Sequence, residues 1–193
     1  MYLVVGLGNP GREHEDNRHN VGFMVADALH ARAGLPAFRE KFKGRFVRGE
    51  AALGATRADI ALLEPTTYMN LSGESVQPAA AFLKVAADRI VVVHDELDLA
   101  WKDVRLKAGG GHAGHNGLRS IIQCLGTPDF VRVRVGIGKP PAGFRGDVAD
   151  YVLSRFDSVE RAELPAVVDA AAAAVARVLS DGLAPAMKAV NTR

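Results

Sequence analysis

The sequence predicts a single α/β domain over residues 1–193, a mixed, mostly parallel twisted sheet with helices on both faces. Three observations predict it. Short apolar runs of strand length, Tyr2–Gly6 and Ile90–Val93 above all, alternate with segments whose apolar residues recur at helical spacing. The first of these runs opens into a polar, glycine-punctuated loop, and open α/β sheets keep their chemistry beyond the carboxyl ends of the strands. The length suits one domain with a substantial core, and no repeat or linker divides it.

Tyr2–Gly6 is the first strand, apolar throughout and therefore central. Gly6, Gly8 and Gly11 then spell G-x-G-x-x-G. A dinucleotide site needs a helix opening inside those glycines and an acidic residue on a second strand about 20 residues further on. Here Pro10 and the polar run Arg12–Arg18 delay the helix to Asn20, and Val21, Met24, Val25, Ala28 and Leu29 make the following segment helical. The loop is better read as a platform for Asn9 and His19.

The first helix, Asn20–Ala33, stops at Gly34 and Pro36. Phe38–Phe46 reads as a loop running into a strand near Arg45–Glu50, and Arg57–Leu63 as a third strand closed by Pro65. Pro65–Gly73 is a polar loop feeding a helix to about Lys84, with Ser72 as its N-cap and Glu74 favourable to the helix dipole. Ile90–Val93 is a fourth, fully buried strand, followed by His94, Asp95, Glu96 and Asp98, where three acids have no structural reason.

Val104–Lys107 is a short strand, Gly109–Gly117 a glycine loop, Leu118–Leu125 a helix and Val131–Ile137 a strand. Lys139–Gly146 is a basic loop, and Ser158–Gly182 an alanine-rich helix. Cys124, the single cysteine, excludes an internal disulfide and reads as a small buried hydrophobe. No apolar run reaches membrane-spanning length and no signal peptide opens the chain, so the expected location is the cytoplasm.

Net charge is only +2 but unevenly spread. Lys102 to Arg145 holds eight basic residues against Asp103 and Asp129, and a second cluster runs Arg39, Lys41, Lys43, Arg45, Arg48. Such clustering suits a phosphate-bearing partner or, equally, a solvated basic face.

Loops after the first, third and fourth strands share one rim of a parallel sheet. That rim would collect Asn9 and His19, then Tyr68, Met69 and Asn70, then Asp95, with Asn116 brought in by the glycine loop. An imidazole, a carboxylate and three carboxamides suit proton transfer beside fixed amides. His19 would be the general base and Asp95 its orienting partner. Asn70 and Asn116 would donate to an oxyanion or hold the attacking water, since no G-x-S-x-G nucleophile is present. A metal site on His112, His115 and Asp95 is the rival, though two histidines three apart on a glycine loop lack the spacing of zinc signatures.

Four motifs, GLGNPG with RHNVG (Gly6–Gly22), PTTYMNLSG (Pro65–Gly73), HDELDL (His94–Leu99) and GGGHAGHNGLRSI (Gly109–Ile121), resemble those of the bacterial-type peptidyl-tRNA hydrolases. The resemblance implies a monomeric, metal-independent esterase without a cofactor. Its substrate would be peptidyl-tRNA, cut between the peptide and the 3′-terminal ribose to recycle tRNA from abandoned translation. Carried over by motif, His19 is the base, Asp95 stabilises its basic form, and Asn9 distinguishes N-blocked from free aminoacyl-tRNA. Tyr68, Met69, Asn70 and Asn116 contact substrate, and Asn116 also places the water. Lys107, Arg134 and Arg145 would contact the tRNA backbone. His14 stands where the family usually has tyrosine, an imidazole still able to stack on a base or ribose; Asn17 replaces a usual threonine and reads as neutral. The alternative is a non-catalytic RNA binder on the same fold, as relatives in plant organelles are that assist intron splicing.

Overall fold

The computed structural model describes residues 1–192. Its strands are β1 (Tyr2–Gly6), β2 (Arg39–Lys41), β3 (Gly44–Leu53), β4 (Thr56–Pro65), β5 (Ile90–Glu96), β6 (Val104–Ala108) and β7 (Val131–Gly136). Among the described residues they form one sheet in the order β2-β3-β4-β1-β5-β7-β6. β1 runs parallel to β4 and β5, and β5 parallel to β7. The edges are antiparallel, β2 on β3, β3 on β4 and β6 on β7.

The helices are α1 (Val21–Ala33), α2 (Gly73–Leu83), α3 (Asn116–Leu125), α4 (Val148–Val152), α5 (Ser158–Asp181) and α6 (Leu183–Asn191). Alternation along the strands splits the core into two layers. Val4, Leu62, Val91 and Val93 pack with Val21, Val25 and the α5 residues Val175 and Val178 on one face. Leu3, Val5, Leu63 and Val92 pack with Val76 of α2 and Leu118 and Ile121 of α3 on the other. The mixed, mostly parallel sheet covered on both faces is the architecture that the apolar runs imply. Among the described residues no helix is long and apolar enough to cross a membrane.

One close approach fixes the rim. A Cβ on Gly22, at the start of α1, would lie 2.4 Å from the amide of Leu7 and 2.5 Å from the carbonyl of Val93. Only glycine lets the helix sit there, and the turn before it, Arg18–Asn20, packs against β5.

Several elements depart from the expectations. Phe38–Phe46 is not a loop but the β2–β3 hairpin, whose turn residues Phe42 and Lys43 both have positive φ without being glycine. The fourth strand runs on through Glu96, so Asp95 is held in its buried end rather than in the loop beyond. Ser72 occupies the N-cap position of α2 in a helical conformation, and its hydroxyl donates to the carbonyl of Met69 instead of capping. α3 opens at Asn116, two residues early, because the His115 ring caps it. Cys124 is exposed on α3, not buried. Two further helices add to those expected: α4, only five residues long, and α6, whose Leu183, Ala186, Met187 and Val190 recur at helical spacing and pack on the core.

Candidate active site

The rim gathers its residues into one cleft of about 830 Å³. Asn9, His14, His19, Tyr68, Met69, Asn70, Asp95 and Asn116 all line it, together with His115 and an apolar wall of Val148, Ala149, Val152 and Leu153 from α4 and its end. The four residues expected to be catalytic, His19, Asp95, Asn9 and Asn116, all border this cleft.

The centre is Asp95, buried and shared by two imidazoles. Nδ1 of His19 lies 2.9 Å from each carboxylate oxygen, and Nε2 of His115 lies 2.8 Å from Oδ1. The tautomers follow from the partners. A carboxylate only accepts, so His19 donates from Nδ1 and keeps the basic lone pair on Nε2. The amides of Gly117 and Leu118 donate to Nδ1 of His115, so that ring carries its proton on Nε2 and gives it to Asp95. His115 is therefore part of this arrangement, a role that residue type and spacing could not separate from metal ligation.

Electrostatics reinforce the geometry. Burial by itself would raise the Asp95 pKa, but His19 and His115, which favour the carboxylate by their hydrogen bonds and by charge whenever a ring is protonated, hold it well below the usual carboxylate range. Burial pulls His19 down, and the charge and hydrogen bond of Asp95 together outweigh it, leaving the base above its ordinary value. His94, beneath, is driven to about 3 by burial and by His115, and its ring meets His115 edge-on at 5.1 Å.

Asn9 is set by two braces. Its side-chain oxygen accepts from the amide of Met69 at 2.7 Å, which turns its NH2 toward the cleft. Asn20 holds its backbone from both sides, accepting from the Asn9 amide at 2.8 Å and donating to its carbonyl at 2.9 Å. Asn20 stands at the start of a helix, where no local pattern marks its grip on the Asn9 backbone. Tyr68, Asn70 and Asn116 are exposed at the mouth, whereas Met69 is buried against Gly117, where a Cβ would come within 2.6 Å of its sulfur.

His14 and Asn17 form one contact, Nδ2 of Asn17 lying 3.0 Å from Nδ1 of His14. Asn17 is buried. Of the basic residues, Lys107 and Arg145 are exposed and Arg134 is half-buried, and none lines the cleft. Arg134 is engaged by Glu96 through Nη2 at 2.6 Å and Nε at 2.8 Å. This gives one of the three unexplained acids a structural partner.

His19, Asp95 and His115 also offer metal-ligand atoms within 4.8 Å of one another, the one such group among the described residues. Their 2.8–2.9 Å contacts are hydrogen-bond separations, already used to fix both tautomers. His112, the third member of the rival metal set, accepts from the Gly114 amide and lies outside the group.

A family model described as peptidyl-tRNA hydrolase matches residues 3–193. A peptidyl-tRNA hydrolase of Sorangium cellulosum is 58% identical over 193 residues, covering 100% of this chain and 85% of the relative. One from Mycobacterium tuberculosis is 48% identical over 191 residues, covering 98% and 96%. The crystal structure of peptidyl-tRNA hydrolase from Acinetobacter baumannii superimposes with a TM-score of 0.87 at 40% identity, covering 99% of this chain and 94% of that one.

Proposed function

The chain belongs to the peptidyl-tRNA hydrolase family, and on that premise we propose that His19 is the general base that turns water on the ester of a peptidyl-tRNA. The bond cut joins the peptide to the 3′-terminal ribose oxygen, and the products are free tRNA and peptide. The observation that carries the assignment is the Asp95 carboxylate fixed at 2.9 Å from Nδ1 of His19, which leaves Nε2 basic and facing the cleft.

Water attacks the ester carbonyl as Nε2 removes its proton, and the imidazolium is stabilised by Asp95. The amide groups of Asn70 and Asn116 bear on the developing oxyanion and on the water, a kind of contribution worth about 10²–10³ in rate. Collapse breaks the ester, and His19 returns the proton to the departing ribose oxygen. Asn9, its oxygen already taken by Met69, presents NH2 to the acyl group that distinguishes a blocked substrate. Tyr68, Met69 and His14 line the substrate path, and Lys107, Arg134 and Arg145 hold tRNA phosphates outside the cleft. A binder alone has no use for a buried carboxylate between two imidazoles. The protein works as a monomeric single domain in the cytoplasm, which size-exclusion chromatography and cell fractionation test.

The deciding assay is hydrolysis of N-acetyl-aminoacyl-tRNA by the wild type and by His19→Ala, with unblocked aminoacyl-tRNA and a chelator as controls. Cleavage by the wild type alone, confined to the blocked substrate and indifferent to chelator, is expected. Binding of tRNA with the ester left intact would overturn the enzyme reading.

A further inference from the structure

Arg132 takes no part in the chemistry above, yet it is only 2% exposed. It sits in β7, flanked in register by Lys107 on β6 and Val92 on β5. Its charge meets carbonyls rather than a carboxylate. Nη1 donates to the carbonyl of Gly111 at 2.5 Å, while Nη2 donates to that of Gly110 and, at 3.4 Å, to that of Pro128. The plane rests over the Phe130 ring, 4.7 Å from its centroid, and Nε is buried without a partner.

Burying a guanidinium this way is costly, and an apolar side chain of similar volume is commonly neutral or better for stability. Packing therefore does not explain the residue; its contacts do. Gly109, Gly110, Ala113 and Gly114 all have positive φ, so no repeating hydrogen-bond pattern runs through this loop. Its own ties are the Gly109 amide to Phe130 at one end and the turn from His112 to His115 at the other. Between them, Gly110 and Gly111 are secured by Arg132. Immediately beyond come His115, which donates to Asp95, and Asn116, which opens α3 at the cleft.

We propose that Arg132 is a positioning residue for hydrolysis, a clasp whose guanidinium fixes the Gly110–Gly111 carbonyls and thereby the placement of His115 and Asn116. The inference rests on the catalytic reading above. A two-pronged planar donor is needed because two successive carbonyls must be held at once; an ammonium group offers a single point charge without that fork.

The test compares Arg132→Met and Arg132→Lys with Asn116→Ala, measuring kcat and KM on N-acetyl-aminoacyl-tRNA, melting temperature, and amide hydrogen exchange over residues 109–117. The Met variant is expected to keep its melting temperature but lose kcat by about 10–10²-fold, the scale of a misplacement near 1 Å. Its KM should stay within about twofold, a loss confined to the transition state, and the loop amides should exchange faster. The Lys variant, which retains the charge, should also lose kcat, and it carries the test if the Met variant does not fold. Wild-type kcat in the folded variants, or a raised KM at unchanged kcat, overturns the clasp. If His19→Ala keeps full kcat, the catalytic reading itself fails; if Asn116→Ala keeps it, the part given to Asn116 fails and the clasp with it; if Asn116→Ala is impaired while both Arg132 variants are not, only the clasp fails.

Discussion

The carboxamide of Asn17 donates to Nδ1 of His14 at 3.0 Å, so the His14 ring carries its proton on Nε2 at the wall of the cleft. Asn17 can hold that orientation because it is buried and its own backbone is tied, its amide to the carbonyl of His14 and its carbonyl to the amide of Asn20. His14→Gln keeps a donor near the Nε2 position, whereas His14→Phe keeps the ring and loses the donor. Steady-state kinetics should show KM rising about 3–10-fold for Phe, the value of one hydrogen bond, and little change for Gln. Equal KM for both variants would remove hydrogen bonding from the role of His14.

The pH profile follows from His19. A base with a raised pKa is protonated, and idle, to a higher pH, so the acid limb of kcat/KM should lie above the ordinary imidazole value of about 6.5. Asp95→Asn removes the cause of the rise and leaves burial, which lowers the pKa. The limb should move to lower pH while kcat falls by about 10²–10⁴-fold, since the amide also disturbs the tautomer. A limb that stays in place in Asp95→Asn would show that another group sets it.

Salt dependence separates the basic contacts. Binding through phosphates makes affinity fall with salt, and each lost contact flattens the slope. Lys107→Ala should raise KM and flatten its dependence on salt. Arg134→Ala should raise KM as well, in part because it uncovers the Glu96 carboxylate now held at 2.6 Å. The double variant with Glu96→Gln should recover some of that loss; an unchanged salt slope in either single variant would take that residue off the tRNA surface.

Stability has its own titration at Glu64, which is fully buried in β4. Burial first, and then the charge of Asp27, raise its pKa to about 8 against the opposing Arg45. The folded state thus keeps a proton that the unfolded chain releases near 4.5, so folding weakens as pH rises from there towards 8. Glu64→Gln should flatten that decline and be relatively more stable at pH 7.5 than at pH 5. Melting curves of the two proteins at both pH values decide it, and parallel pH dependence would contradict the assignment.

The parallel centre of the fold and most of the active site could be read from the residues, because both leave local signals. β1 and β5 are uninterrupted apolar runs, and Asn9, His19, Tyr68, Asn70 and Asn116 fall on or beside the loops that such strands throw to one rim. What escaped depends on contacts distant in sequence or on weak local pattern. The pairing of His19 with Asp95 was expected across 76 residues, but His115 and Asp95 are 20 apart and no spacing rule says that the same carboxylate will serve a second ring. The β2–β3 turn carries Phe42 and Lys43 where glycine or asparagine would have announced it. α4 is five residues long and is marked only by the Asp147–Asp150 capping box.

β1 is the first strand made, yet it lies between β4 and β5. Its partners start at Thr56 and Ile90, and the loop ending at Asn116 comes later still. During synthesis the apolar run Leu3–Val5 therefore waits without both neighbours, for about 5–19 s at about 5–20 residues per second, until Glu96 has been added. Catalysis in this sense arrives only once Asp95, His115 and Asn116 have followed. A ribosome stalled before Asp95 is added would leave a His19 with no carboxylate to meet it, so such a truncated copy would be as inert as the stranded chains that the enzyme releases.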